Sequence, residues 1–84
     1  MKKRKLLKKL LSGSKNIRFT EATACVKAFG FRLHRVKGSH HIFVHSDVTE
    51  LINLQNVDGK AKPYQVKQFL SIVEKYNLKI EDKE

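Results

Sequence analysis

Four histidines, His34, His40, His41 and His45, fall within twelve positions of one another. Histidine gives and takes protons near neutral pH, so acid–base chemistry is first sought here. His40 directly follows Gly38-Ser39, a turn-forming pair where side chains stand exposed and backbone N–H groups can face an anion. Arg32, Arg35 and Lys37 lie just before it. One imidazole beside such a cationic patch is enough to cut RNA, which carries its own nucleophile, the 2′-OH next to each phosphate. The imidazole takes that proton or protonates the departing 5′ oxygen, while lysine or arginine neutralises the charge developing on phosphate. The products would be a 2′,3′-cyclic phosphate and a 5′-OH, and DNA would be left intact. The same residue pattern also fits an ordinary surface histidine, or one that only hydrogen-bonds a phosphate.

A metal centre fits these residues poorly. His41 and His45 share a strand face, but two intervening pleats would hold them roughly 13 Å apart in an extended strand. His40 and His41 point to opposite faces. The single cysteine, Cys25, excludes an internal disulfide and a thiolate zinc cluster. It sits in the apolar stripe of a helix, as a small core residue would. Neither a metal nor a cofactor is expected.

A second cationic element is the segment Asn56 to Lys62, NVDGKAK, which reads as a loop. Asp58-Gly59 permits a tight turn, after which Lys60 and Lys62 approach the N-terminus of a helix opened by Pro63. Lysines together with free helix N–H groups would seat a backbone phosphate, and Lys67 continues that basic face one turn along. The spacing matches no nucleotide-binding P-loop. The expected RNA-contacting set is therefore Arg32, Arg35, Lys37, Ser39, His41, Lys60, Lys62 and Lys67.

Composition agrees with a polyanion partner. The chain has 84 residues, with 18 Lys+Arg against 8 Asp+Glu and a formal net charge of +10. Residues 1–42 hold twelve of the basic residues and one acid, Glu21, while residues 43–84 are close to neutral. So one-sided a field favours nucleic acid or an acidic protein. The hydrophobic fraction of 40% is too high for a disordered polycation, and the length allows one small domain. No run approaches the roughly 20 apolar residues of a membrane-spanning helix. The basic start of the chain lacks the unbroken apolar stretch of a signal peptide. A cytoplasmic protein without membrane contact is expected.

The elements that must position these residues follow from periodicity. Leu6, Leu7, Leu10 and Leu11 make Met1–Leu11 a basic amphipathic helix, closed by a Ser12-Gly13-Ser14 joint. This gives a boundary between residues 1–14 and a domain over 15–80, with a charged tail at 81–84. A helix is expected from Thr20, capped by its hydroxyl, with Ala22, Cys25, Val26 and Phe29 as the apolar stripe and Gly30 as its end. Phe31–Lys37 and His40–His45 form a hairpin. Ser46–Glu50 reads as a polar loop, and Leu51–Gln55 as a third strand. The last helix runs from Pro63, with Val66, Phe69, Leu70, Val73 and Tyr76 facing inward and Asn77 as its left-handed cap. This is an α+β fold, helices on one face of a three-stranded antiparallel sheet. Which face of the second strand is buried stays open, since Ile42 and Val44 point one way and Phe43 the other.

Several of these residues also occur in a familiar order. Gly30-Phe31, Lys37-Gly38-Ser39-His40-His41-Ile42-Phe43, Leu54-Gln55 and Gly59-Lys60-Ala61-Lys62-Pro63-Tyr64-Gln65-Val66 resemble the HicA toxins of bacterial and archaeal toxin–antitoxin pairs, over about Ile17 to Leu78. The resemblance implies a double-stranded-RNA-binding-domain-like α-β-β-β-α fold, its three-stranded sheet packed on two helices. It implies a ribosome-independent mRNA endoribonuclease whose catalytic histidine, the one after Gly-Ser, is His40. It further implies a HicB antitoxin that covers the active face, with DNA reached only indirectly through that complex. Shorter members begin near Asn16, so the basic N-terminal helix is a departure. Beside this toxin reading stand a non-catalytic module that binds double-stranded RNA by shape and an adaptor for an acidic protein.

Overall fold

In the computed structural model, which describes residues 3–81, three helices and four strands follow in the order α1 (Lys3–Leu11), α2 (Phe19–Ala28), β1 (Arg32–Lys37), β2 (His40–His45), β3 (Val48–Val57), β4 (Lys60–Ala61) and α3 (Pro63–Lys75). The fold is α+β, and its helix–sheet arrangement is compatible with the double-stranded-RNA-binding-domain-like pattern. Met1, Lys2 and the tail beyond Glu81 lie outside the described residues. Glu81 itself is tied back, its N–H donating to the Ala28 carbonyl at 2.8 Å.

α2 and α3 pack on the sheet, and α1 packs against α2. Leu6 and Leu10, one turn apart on α1, are buried in the same core as Ala22, Cys25, Val26, Phe29, Val66 and Phe69. An ion pair from Lys9 to Glu21 at 2.8 Å fixes α1 against α2. α2 starts one residue earlier than expected, and Thr20 is not its cap. The Glu21 carboxylate instead accepts the Arg18 N–H at 2.9 Å, which satisfies a backbone donor and lets Phe19 enter the helix and the core. Lys9 and that N–H also hold the Glu21 carboxyl below its ordinary range. Gly30 and Asn77 stand past the ends of α2 and α3 with φ of 92° and 53°, as the sequence indicates.

The sheet has four antiparallel strands in the order β1-β2-β3-β4, not three. Asp58 and Gly59, with φ of 52° and 82°, form the tight two-residue turn of a hairpin. The expected Asn56–Lys62 loop is therefore the β3–β4 connection, pairing Val57 with Lys60 and Asn56 with Ala61. The hairpin is held from outside, since Phe19 N–H donates to the Gly59 carbonyl and Ala61 N–H to the Ile17 carbonyl. β3 also begins earlier than Leu51. Only Ser46 and Asp47 turn the chain, and Asp47 N–H donates to His45 Nδ1 at 3.0 Å. The remainder of the expected polar loop is strand, with Val48 buried and Glu50 bound to α3 through Lys75 and Tyr76.

Register settles the ambiguous face of β2. Phe43 pairs with Leu33 and Ile52, and His41 with Val36 and Leu54. Phe43, Ile52 and Leu54 are buried beneath the helices, so this is the covered side. Lys37, His40 and Gln55 form a row across the other side, with Arg35, Ile42 and Asn53 in the next row. Alternation along each strand keeps the two sets apart.

Candidate active site

β2 is flanked on both sides, by β1 and by β3, so His40 stands on a surface whose neighbours the ladder fixes. The Gly38-Ser39 turn before it needs Gly38 at φ 58°, a conformation that glycine adopts without steric cost. Asn56 N–H donates to the Ser39 carbonyl at 2.9 Å, which pins the turn to β3. Lys37 then lies opposite His40 on β1, and Gln55 opposite it on β3. The diagonal neighbour on β3 is Asn53, and its Oδ1 is 3.2 Å from His40 Nδ1. His40 is half-buried, held at one ring nitrogen and open enough to meet a ligand.

The other histidines are elsewhere. His34 falls where the β1–β2 register shifts, on the exposed edge strand. His41 and His45 lie on the covered side, their rings packed on Phe19 at 4.6 Å and Phe31 at 4.9 Å. His41 Nδ1 is 3.2 Å from the Ser39 carbonyl. Strand alternation turns the half-buried His41 ring to the face opposite His40, so the structure does not bring these two expected site residues together on one surface. Cys25 is buried in the core, and burial pushes its thiol up to about 11, which leaves it a packing residue.

The cations divide between the two layers. Arg32, Arg35 and Lys37 belong to the open face of exposed β1, in register with Val44, Ile42 and His40. Val57, two residues beyond Gln55, carries that face to its partner Lys60 on β4. There a hollow of about 400 Å³ is lined by Lys15, Val57, Asp58, Lys60, Ala61, Lys62 and Pro63. Lys60 Nζ donates to Asn16 Oδ1 at 2.7 Å, and the Lys62 ammonium lies 5.9 Å from the Tyr64 ring centroid. Lys67 is exposed on α3, in the helical layer rather than the sheet, so it does not extend the basic surface of the strands.

Beneath the row of His40 sits one buried polar side chain, Gln65 at 3% exposure. Its Oε1 accepts the Gln55 N–H at 2.7 Å, joining the first turn of α3 to β3. Asn53 and Lys15 have no place in the sequence reading, and Gln55 and Gln65 enter it only as part of the family resemblance, without a role. The signal was present for two of them: in Leu51–Gln55 the polar Asn53 and Gln55 alternate with Ile52 and Leu54, and asparagine is uncommon in strands.

A family model described as the HicA toxin of bacterial toxin–antitoxin systems matches residues 19–74, well over half of the chain. The chain belongs to the HicA toxin family. The match runs from the first residue of α2 to the last turn of α3, taking in His40 and both hairpins and leaving α1 outside. No curated protein and no solved structure matches the chain. HicA toxins are RNase-type toxins, and membership makes this chain the toxin half of a toxin–antitoxin system, with an antitoxin as its partner. Among the described residues, no helix is long and apolar enough to cross a membrane.

Proposed function

We propose that this HicA toxin is a cytoplasmic, ribosome-independent mRNA endoribonuclease that uses His40 as its acid–base residue and is inhibited by a HicB-type antitoxin covering the open face of the sheet. What supports the reading is that His40 is the one histidine held in a regular row of that face, between Lys37 and Gln55 and near Arg35. In the proposed reaction the 2′ oxygen attacks phosphorus as its proton leaves, and the bond from phosphorus to the 5′ oxygen breaks. His40 takes the first proton or delivers one to the 5′ oxygen. Lys37 and Arg35 balance the charge gathering on the phosphate oxygens. Arg32, Lys60 and Lys62 hold the flanking phosphates, and neither a metal nor a cofactor takes part.

The experiment is RNA cleavage by the purified chain in excess EDTA, with His40→Ala beside it and the product ends mapped. Wild-type cleavage that leaves 2′,3′-cyclic phosphate, reduced about 10²- to 10⁴-fold by the substitution, is the expected result. Intact RNA in both lanes, with RNA bound by a folded protein, would replace this reading by a non-catalytic double-stranded-RNA-binding module.

A further inference from the structure

From the His40–Asn53 geometry we infer that Asn53 is a positioning residue, fixing the tautomer and orientation of the His40 ring. The inference rests on the reading of His40 as the acid–base residue and adds the group that prepares it. The Asn53 Oδ1 lies 3.2 Å from His40 Nδ1. An amide oxygen only accepts hydrogen bonds, so the contact requires the proton to be on Nδ1. Neutral His40 then carries its lone pair on Nε2, the nitrogen farther from the backbone and the one best placed to reach a substrate hydroxyl. A free histidine side chain favours the other tautomer, with the proton on Nε2. Which ring nitrogen is protonated is set by the hydrogen bond that the other makes.

The placement of Asn53 makes it suited to this role. It sits on β3, a long strand paired with β2 and joined at its far end to β4, so its backbone is held by the sheet. Its partner in the ladder is Ile42, and His40 is its diagonal neighbour, which brings side chain to side chain without either strand moving. Asn53 and His40 are both half-buried, which limits competition from water for the bond. Gln65, by clamping the next outward-facing residue, Gln55, holds the same stretch of β3 from the helix side.

The test uses the full chain with Asn53→Leu, which keeps the size and removes the acceptor, and Asn53→Asp, which restores one. Nitrogen-15 NMR of the imidazole reads the tautomer directly and needs no RNA. In wild type and Asn53→Asp, neutral His40 should be protonated on Nδ1, and in Asn53→Leu the proton should move predominantly to Nε2. The cleavage assay should show kcat reduced about tenfold in Asn53→Leu with KM little changed, and largely recovered in Asn53→Asp. An unchanged His40 tautomer in Asn53→Leu overturns the inference, as does a loss confined to KM, which would make Asn53 a substrate contact. Should His40→Ala still cleave, the acid–base reading itself fails, whatever the tautomer spectrum shows. Asn53→Ala, smaller and likewise without an acceptor, replaces the leucine variant if that one does not fold.

Discussion

Gln65 is where the fold and the row of His40 meet, and replacing it by methionine gives a measurable consequence. Methionine has nearly the length and volume of glutamine, so Gln65→Met fills the same buried space and removes the acceptor for the Gln55 N–H. That donor points away from β2 toward α3, and β4 pairs with β3 only at Asn56 and Val57, so no strand can take over the bond. A buried donor left unpaired costs about 1–3 kcal/mol. Gln55 is half-buried and can admit water, which places the cost at about 1–2 kcal/mol. For a domain of this size each kcal/mol lowers Tm by roughly 4–8 °C. Thermal unfolding followed by circular dichroism reads the loss, and hydrogen exchange reads its location, with Gln55 losing protection ahead of its neighbours. A Gln65→Met protein as stable as wild type, with the Gln55 amide still protected, would refute the claim that this bond anchors α3 to the sheet.

Three further outcomes are expected. Leu10→Ala should destabilise the whole chain by about 2–5 kcal/mol, the range for a buried leucine, because Leu10 lies in the common core; a denaturant midpoint equal to wild type would make α1 an appendage. The Glu50 carboxyl is held down to about 2 by hydrogen bonds from Lys75 and Tyr76. Its contribution to stability is therefore full above about 4.5 and is lost as pH falls toward 2, so Glu50→Gln should lose less stability than wild type over that window, and parallel urea midpoints would refute this. Lys60→Ala and Lys62→Ala should each flatten the salt dependence of RNA binding by about 0.7–0.9 in the log–log slope, one phosphate contact apiece. Unchanged slopes in both would take the β4 hollow off the binding surface.

The fold was largely legible because its strongest signals are local. Ala22, Cys25, Val26 and Phe29 at helical spacing and Pro63 before a second apolar stripe describe α2 and α3 nearly to the residue. Thr20 is the usual capping type, but it stands inside α2, where Glu21 instead reaches back to accept the N–H of Arg18 at the N-cap. The β3–β4 hairpin went unread although Asp-Gly is the strongest short turn signal. Its flanks, Asn56-Val57 and Lys60-Ala61, are too short and polar to register as strands, and pairing to the segment before α2 supplies what they lack. His40 was found through its turn and its charged neighbours. Asn53 was not, since its meeting with His40 depends on the register of two strands whose residues are 13 positions apart.

The one-sided charge of the sequence also has a different meaning in three dimensions. Much of the excess in the first half sits in Lys3, Arg4, Lys5, Lys8 and Lys9, and these belong to α1. α1 packs on α2 through Leu6, Leu10 and the Lys9–Glu21 pair, and α2 lies on the covered side of the sheet. The cations around His40 come instead from β1 and β4. The chain thus carries two basic surfaces divided by its core, and an occupant of the open face need not touch α1. Neutralising α1, for example with Lys5→Ala and Lys8→Ala together, should weaken the long-range attraction of RNA while leaving kcat unchanged. Neutralising Lys37 should lower kcat. An equal loss of kcat from both changes would mean that RNA wraps past the sheet onto the helical layer, and that the two surfaces act as one.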